Sequence, residues 1–211
     1  PVLPSPPPPA ASAPQTRERI LDVAEALFAA HGFAGTSVRQ IAAAAELTPA
    51  SLYNHFEGKE ALYVAVLERG IRPLLELMQR RAGREATGDA AAALVGEVME
   101  HLRTRPNLPR LIQLEVLTGG PLLARLAREW VRPFFAYGVA EMKRGPAAFE
   151  PDEYPLVIAA WIHLLIGHFA LAPLLREALD ADPLAPEPLE RQKRFLQKLA
   201  RILAAPGGGE R

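Results

Sequence analysis

The chain has 211 residues, 49% hydrophobic and 23% charged, which excludes a collagen-like, low-complexity or intrinsically disordered protein and leaves enough length to bury a core. Its 24 basic and 24 acidic side chains cancel, so no global field draws it to nucleic acid and any such footprint has to be local. Cysteine is absent, which rules out disulfides, thiolate metal sites and cysteine nucleophiles and is compatible with the reducing cytoplasm expected for it.

Residues 1–14 hold seven prolines and no charge. They lack the basic start and apolar run of a signal peptide and read as a disordered, partly polyproline-II arm. Helical periodicity then dominates. A first helix is predicted over 16–31, with Ile20, Ala24, Leu27 and Phe28 on one stripe and Gly32 as a left-handed stop. Ser37 and Gln40 have the spacing of a capping box, which opens a short second helix ending near Ala45. Thr48-Pro49 reads as cap plus first helical residue of a third short helix reaching about His55. A fourth helix is expected from Gly58-Lys59 to about Arg81, kinked at Pro73.

Beyond a small-residue break at 83–88, helices are predicted over 89–104, 106–117, 121–143, 152–180 and 186–204, with Pro or Gly in the breaks. The stretch 156–175 is long enough to cross a membrane and contains only His163 and His168 as strongly polar residues. Pro155 and Pro173 bracket it and no Lys/Arg cluster flanks its start, so a helix buried in a core or an interface is expected and no membrane is expected as a partner. The last helix carries Leu189, Leu196, Leu199 and Leu203 on one face and Arg191, Lys193, Arg194, Lys198 and Arg201 on the other, read as a solvated face.

Two short helices joined by a tight turn and preceded by a supporting helix make the helix-turn-helix plan. The second short helix has to be apolar toward its supports and short and polar toward a major groove. In residues 48–56, Leu52 and Phe56 are four apart and pack inward, while Thr48, Ser51, Tyr53, Asn54 and His55 remain as outward candidates. Pro49 and Ala50 are small enough to let the backbone approach a duplex.

From Arg19 to about Leu67 the chain resembles the DNA-binding domain of the TetR family. The resemblance rests on Ala26-Leu27-Phe28, Gly32-Phe33, Thr36-Ser37-Val38, Ile41-Ala42, Ala45, Leu47, Leu52-Tyr53, His55-Phe56, Lys59 and Leu62. Glu46 departs from the pattern by standing in a turn where the family often has glycine. The resemblance implies an all-α protein of about nine helices: a three-helix DNA-binding domain at 15–62, a helical ligand-binding and dimerisation domain at 63–204, and a flexible tail at 205–211. It also implies that Arg39 and Gln40 reach the groove, that Thr48, Pro49, Ala50, Ser51 and Asn54 face bases or nearby phosphates, and that Thr36, Ser37, Tyr53, His55 and Lys59 contact the backbone. For Lys59 the expected partner is one phosphate shared with the free N–H groups of the fourth helix. His55 stays open between phosphate contact and packing, and Tyr53 between phosphate contact and a half-buried place in the core. Residues 15–60 contain four basic and six acidic side chains, so attraction to phosphate is expected to be modest.

The second half is rich in apolar bulk, with His101, Leu114, Leu117, Trp130, Phe134, Tyr137 and Trp161 as candidate lining of a pocket for an aromatic or aliphatic effector. The resemblance implies a dimer built from the last two long helices, for which Ile158, Trp161, Leu165, His168, Ala172, Phe195 and Leu199 are the candidates and Gly167 permits close approach. His163 and His168 lie about 140° apart around a helix, so they do not form a metal pair. No cofactor is expected, and no serine triad, metal spacing or phosphate-cradling loop suggests an enzyme. The expected function is a ligand-released repressor bound as a homodimer to a palindromic operator in double-stranded DNA. The alternative is a helical small-molecule binder or adaptor that does not bind DNA.

Overall fold

The computed structural model describes residues 13–84, 86–145 and 148–204, which form helices joined by turns, with no strand among the described residues. Contacts divide the chain between Val66 and Leu67 into two compact units. Apart from Ala13 and Pro14, the arm expected at 1–14 lies outside the described residues, as does the tail 205–211. Ala13 and Pro14 are helical, because proline is tolerated in a first turn, where no partner exists for its N–H.

The first unit is built on α1 (Ala13–His31), α2 (Val38–Ala44), α3 (Pro49–Tyr53) and the start of α4 (Lys59–Arg81). Ile20, Leu21, Ala24 and Phe28 of α1 form the buried floor, on which Ile41, Ala42, Leu52, Phe56 and Leu62 close. The rings of Phe28, Phe33 and Tyr63 meet with centroids 4.8–6.1 Å apart. Each large side chain buried here contributes about 1.5–3 kcal/mol of apolar transfer, enough to hold helices too short to survive alone.

In the second unit α5 (Gly88–Thr104) lies along α11 (Pro186–Leu203). Gln197 Nε2 donates to the Ala92 carbonyl at 3.2 Å, and Arg201 Nε meets Asp89 Oδ1 at 2.8 Å. A Cβ on Gly88 would lie 3.2 Å from the Arg201 backbone, so this glycine permits the close approach. α6 (Asn107–Thr118) packs on α9 (Tyr154–Ala170). It ends at Gly119 with φ +59°, after which the buried Glu115 carboxylate accepts the Leu122 N–H and closes the turn. α4 stays helical through Pro73.

Two predicted helices divide. The segment 121–143 becomes α7 (Leu123–Arg125), a π-helical turn (Leu126–Val131) and α8 (Arg132–Arg144). Pro133, which has no N–H for the Glu129 carbonyl four residues back, stands at the exit of the wide turn, where the helix accommodates the missing bond. The segment 152–180 becomes α9 and α10 (Ala172–Leu179), bent by 63° at Leu171. Pro173 cannot extend the earlier helix but suits the first turn of a new one. No single helix among the described residues is long and apolar enough to cross a membrane; the bent pair α9 and α10 passes that test together, by length and composition only.

Candidate nucleic-acid interface

The geometry of α2 and α3 is fixed by local chemistry. Ser37 caps α2 by accepting the Gln40 N–H at 3.2 Å, while Gln40 Oε1 accepts the Ser37 N–H at 2.8 Å. α2 ends in a double closure: the Leu47 N–H reaches the Ala42 carbonyl at 2.8 Å and the Glu46 N–H reaches that of Ala43 at 3.1 Å. This closure needs one residue in the left-handed region, and Glu46 takes it with φ +56°. The turn therefore keeps the conformation that a glycine would supply, at a steric cost of about 1–2 kcal/mol. Thr48 then caps α3 by accepting the Ser51 N–H at 3.1 Å, with its own hydroxyl 3.0 Å from that of Ser51.

Once the caps are made, the faces follow. Leu52 and Phe56 are buried, and Arg17 covers Phe56 with its guanidinium 5.0 Å from the ring centre. Ser37, Arg39, Gln40, Thr48, Pro49, Ala50, Tyr53 and Asn54 are exposed, and Ser51 and His55 are half-buried. Tyr53 is thus outside the core, and Gln40 is committed to the cap through its oxygen, leaving its amide N–H groups free to read a base edge.

Two expected backbone contacts have other employment. Thr36 is 2% exposed; its hydroxyl donates to the Gly32 carbonyl at 2.9 Å, with the Leu27 carbonyl at 3.2 Å as alternative acceptor. Lys59 donates from Nζ to the carbonyls of Phe33 at 2.9 Å and Thr36 at 3.0 Å, and its ammonium lies 4.2 Å from the Phe33 ring centre. Both side chains hold the turn between α1 and α2. Thr36 leaves the set of contact residues because a hydroxyl that is buried and bonded cannot meet a phosphate.

The residues expected to line a ligand pocket do not all face inward. Trp130 is 5% exposed, and Leu114, Phe134, Tyr137 and Trp161 are half-buried. Burial, reinforced by Glu141, pushes the Tyr137 hydroxyl above its ordinary range, so it stays a neutral hydrogen-bonding group. Leu117, on the last turn of α6, is 78% exposed and drops out of the set. His101 serves the fold: its Nε2 lies 2.7 Å from the Gly70 carbonyl, in the stretch of α4 weakened by Pro73. A residue no sequence signal marked is Arg125, which joins Glu68 of α4 at 3.0 Å and Glu129 at 2.7 Å beside the Trp130 ring.

Two of the residues expected at a dimer face are not available to a second chain. Ile158 and Ala172 are buried within their own unit, Ile158 against Gly138 of α8, so they present nothing to a second chain. Trp161, Leu165, His168 and Leu199 are half-buried. Phe195 is 57% exposed, alongside Leu156, Leu164, Leu171 and Ile202, which the sequence reading did not single out. No group of three or more metal-ligating side chains occurs among the described residues.

Residues 20–66 match the family described as bacterial regulatory proteins, tetR family, which encloses both short helices and their supports. Over these residues the chain is similar to the TetR family's DNA-binding region. It is 37% identical over 111 residues to the HTH-type transcriptional regulator RutR of Escherichia coli, covering 51% of this chain and 50% of that protein. It is 28% identical over 134 residues to the HTH-type transcriptional repressor DhaR of a Mycobacterium species, covering 56% and 63%. The chain spans about half the length of the curated relatives it matches. The solved structure of the ketosteroid transcriptional regulator KstR2 of Mycobacterium tuberculosis superposes with a TM-score of 0.71 at 20% identity, over 92% of this chain and 96% of that one. That likeness carries the helical fold across nearly the whole chain.

Proposed function

We propose that this chain is a TetR-family ligand-released repressor that acts in the cytoplasm and binds an approximately palindromic operator as a homodimer. The observation that carries the reading is the division of α3 and its flanks: Leu52 and Phe56 are spent on the core, and Thr48, Pro49, Ala50, Tyr53 and Asn54 are turned outward beside Arg39 and Gln40. Small and polar side chains over an apolar seat are what a major groove admits. A two-fold dimer would set two such helices about 34 Å apart on successive groove faces. In this reading the DNA-binding and ligand-binding domains follow the two compact units, so the boundary expected at 62–63 moves to 66–67, within α4.

The dimer face we favour follows the exposed apolar residues of α9, the bend after it and α11: Leu156, Leu164, Leu171, Phe195 and Ile202, which a monomer would leave in water. The effector is a small apolar or aromatic molecule meeting Trp130, Phe134, Tyr137 and Trp161. It acts only by its different affinity for the DNA-bound and released arrangements. Fluorescence anisotropy with duplexes from the protein's own locus tests the first part. Binding at nanomolar to micromolar concentration, lost in Asn54→Ala and Arg39→Ala, is expected; a monomeric protein that ignores every duplex defeats it.

The second reading, an adaptor without DNA binding, is favoured by one observation: residues 15–60 hold four basic against six acidic side chains, and one of the four, Lys59, is bonded within the fold. The same titration separates the two.

A further inference from the structure

The turn between α1 and α2 contains more side-chain bonding than its length requires. From Gly32 to Ser37 the backbone reverses, with Gly32 at φ +71° and a Cβ on Gly35 placed 2.3 Å from the His31 carbonyl oxygen. Thr36 ties this turn back to α1 through Gly32 and Leu27. Lys59 ties it to the first residue of α4 through the carbonyls of Phe33 and Thr36. The ammonium also covers the face of Phe33, whose ring contacts Phe28 and Tyr63 in the core. The Thr36 carbonyl that Lys59 holds belongs to the residue immediately before Ser37, the cap of α2. The ammonium therefore holds the residue from which α2 sets out.

A compact ammonium has three donors. Two are spent here, on carbonyls, and the positive charge rests partly against an aromatic face. A lysine placed to meet phosphate would instead have its donors open to solvent. We propose that Lys59 is a positioning residue for DNA binding: it fixes the angle of α2, and through it the exposed face of Arg39, Gln40 and α3, and makes no counterion-releasing phosphate contact of its own. The proposal rests on the DNA-binding reading.

The two roles predict different signatures. A lysine that neutralises a phosphate contributes about 0.9 to the slope of log affinity against log salt. A lysine that positions α2 lowers affinity by the same factor at every salt concentration. The experiment uses full-length Lys59→Met, which keeps the stem but loses the charge and both hydrogen bonds. Amide hydrogen exchange is measured on the free protein, and anisotropy is measured with a duplex from its own locus between 50 and 200 mM salt, a range in which phosphate contacts show plainly.

The expected result is exchange at least about ten-fold faster at Gln40 and Ile41, with affinity lower by about ten-fold or more and an unchanged salt slope; that loss corresponds to opening the native turn by about 1.4 kcal/mol. A slope shallower by about one unit means a phosphate contact and overturns the proposal. Faster exchange with wild-type affinity means a merely structural lysine and overturns it as well, as does unchanged exchange. A wild-type protein that binds no duplex defeats the DNA-binding reading, and this role with it; unchanged exchange alone defeats only the positioning. Should Lys59→Met fail to fold, Lys59→Gln removes the charge while keeping a side-chain donor, and a salt slope shallower by about one unit, or wild-type exchange and affinity, in that variant overturns the proposal.

Discussion

Glu46 holds φ +56° because the double closure after α2 admits no other backbone there. A left-handed non-glycine residue is strained by about 1–2 kcal/mol, while a glycine returns about 0.4–1 kcal/mol of that through its greater freedom when unfolded. Glu46→Gly is therefore expected to raise stability by about 0.5–1 kcal/mol in urea unfolding, with DNA affinity unchanged or higher, since a carboxylate leaves the face proposed to meet phosphate. A loss of stability would mean that the Glu46 side chain makes a contact outweighing its backbone. The second residue with a readable consequence is His168. Burial holds its imidazole below the usual range, opposed by a hydrogen bond to the Pro183 backbone, and its Nε2 is buried with no hydrogen-bond partner. The folded state thus takes up its proton less readily than the unfolded state, whose histidine titrates near 6.5. Above that pH both states are neutral and nothing is lost; as pH falls below it the unfolded state is protonated first, stability declines, and the decline levels off beneath the folded value. Urea unfolding at pH 7.5 and 5.5 should show a smaller difference in His168→Phe than in wild type, and equal differences would remove His168 as a cause.

At the scale of elements, two glycines on neighbouring helices separate packing from propensity. Alanine is favoured over glycine inside a helix by about 0.8–1 kcal/mol. At Gly138 of α8 a Cβ would lie 2.8 Å from Cγ1 and 2.9 Å from Cδ1 of the buried Ile158, and overpacking costs about 1–3 kcal/mol, so Gly138→Ala should lose about 1 kcal/mol net. At Gly167 of α9 a Cβ meets nothing within 4 Å, so Gly167→Ala should gain up to about 1 kcal/mol in the isolated chain. Thermal unfolding of both variants at low protein concentration checks the pair, and a gain in both would show that Ile158 yields to a Cβ at Gly138 without cost. The contrast also shows what the sequence could reveal. Caps are local, so Ser37, Gln40, Thr48 and Pro49 marked where α2 and α3 begin, although α3 stops at Tyr53, two residues short of the His55 expected. Prolines are not local in their effect: Pro73 is absorbed within α4, whereas Pro173 divides α9 from α10. Nothing in their own neighbourhoods distinguishes them, since tertiary packing decides whether a carbonyl without a donor is tolerated. Which side of an apolar helix faces inward was equally hidden. α9 is apolar on all sides, so periodicity could not tell the buried Ile158 from the exposed Leu156.

For the whole molecule the decisive quantity is charge. Counterion release makes the salt dependence of DNA binding a count of neutralised phosphates, at about 0.9 per contact. On α2 and α3 the cation facing outward is Arg39; Arg17 and Arg19 of α1 are also exposed, and Lys59 is engaged with two carbonyls. A dimer could thus neutralise between two and six phosphates with these side chains, giving a log–log slope of about −2 to −5, against about −10 for a strongly electrostatic repressor. The exposed acids Glu46, Glu57 and Glu60 repel phosphate and push the value toward the shallow end. On the proposed DNA-binding reading, affinity then has to come from pairing two recognition helices, from hydrogen bonds of Thr48, Ser51 and Asn54, and from backbone N–H groups, none of which releases a counterion. Two behaviours follow together: the slope is shallow, and affinity collapses when the dimer is broken. Phe195→Glu, which puts a charge on the exposed apolar face of α11, should yield a folded monomer whose operator affinity is lower by a hundred-fold or more at every salt concentration. A slope near −10 in wild type would show that cations outside these helices carry the binding, and undiminished affinity in a monomeric Phe195→Glu would show that one recognition helix suffices.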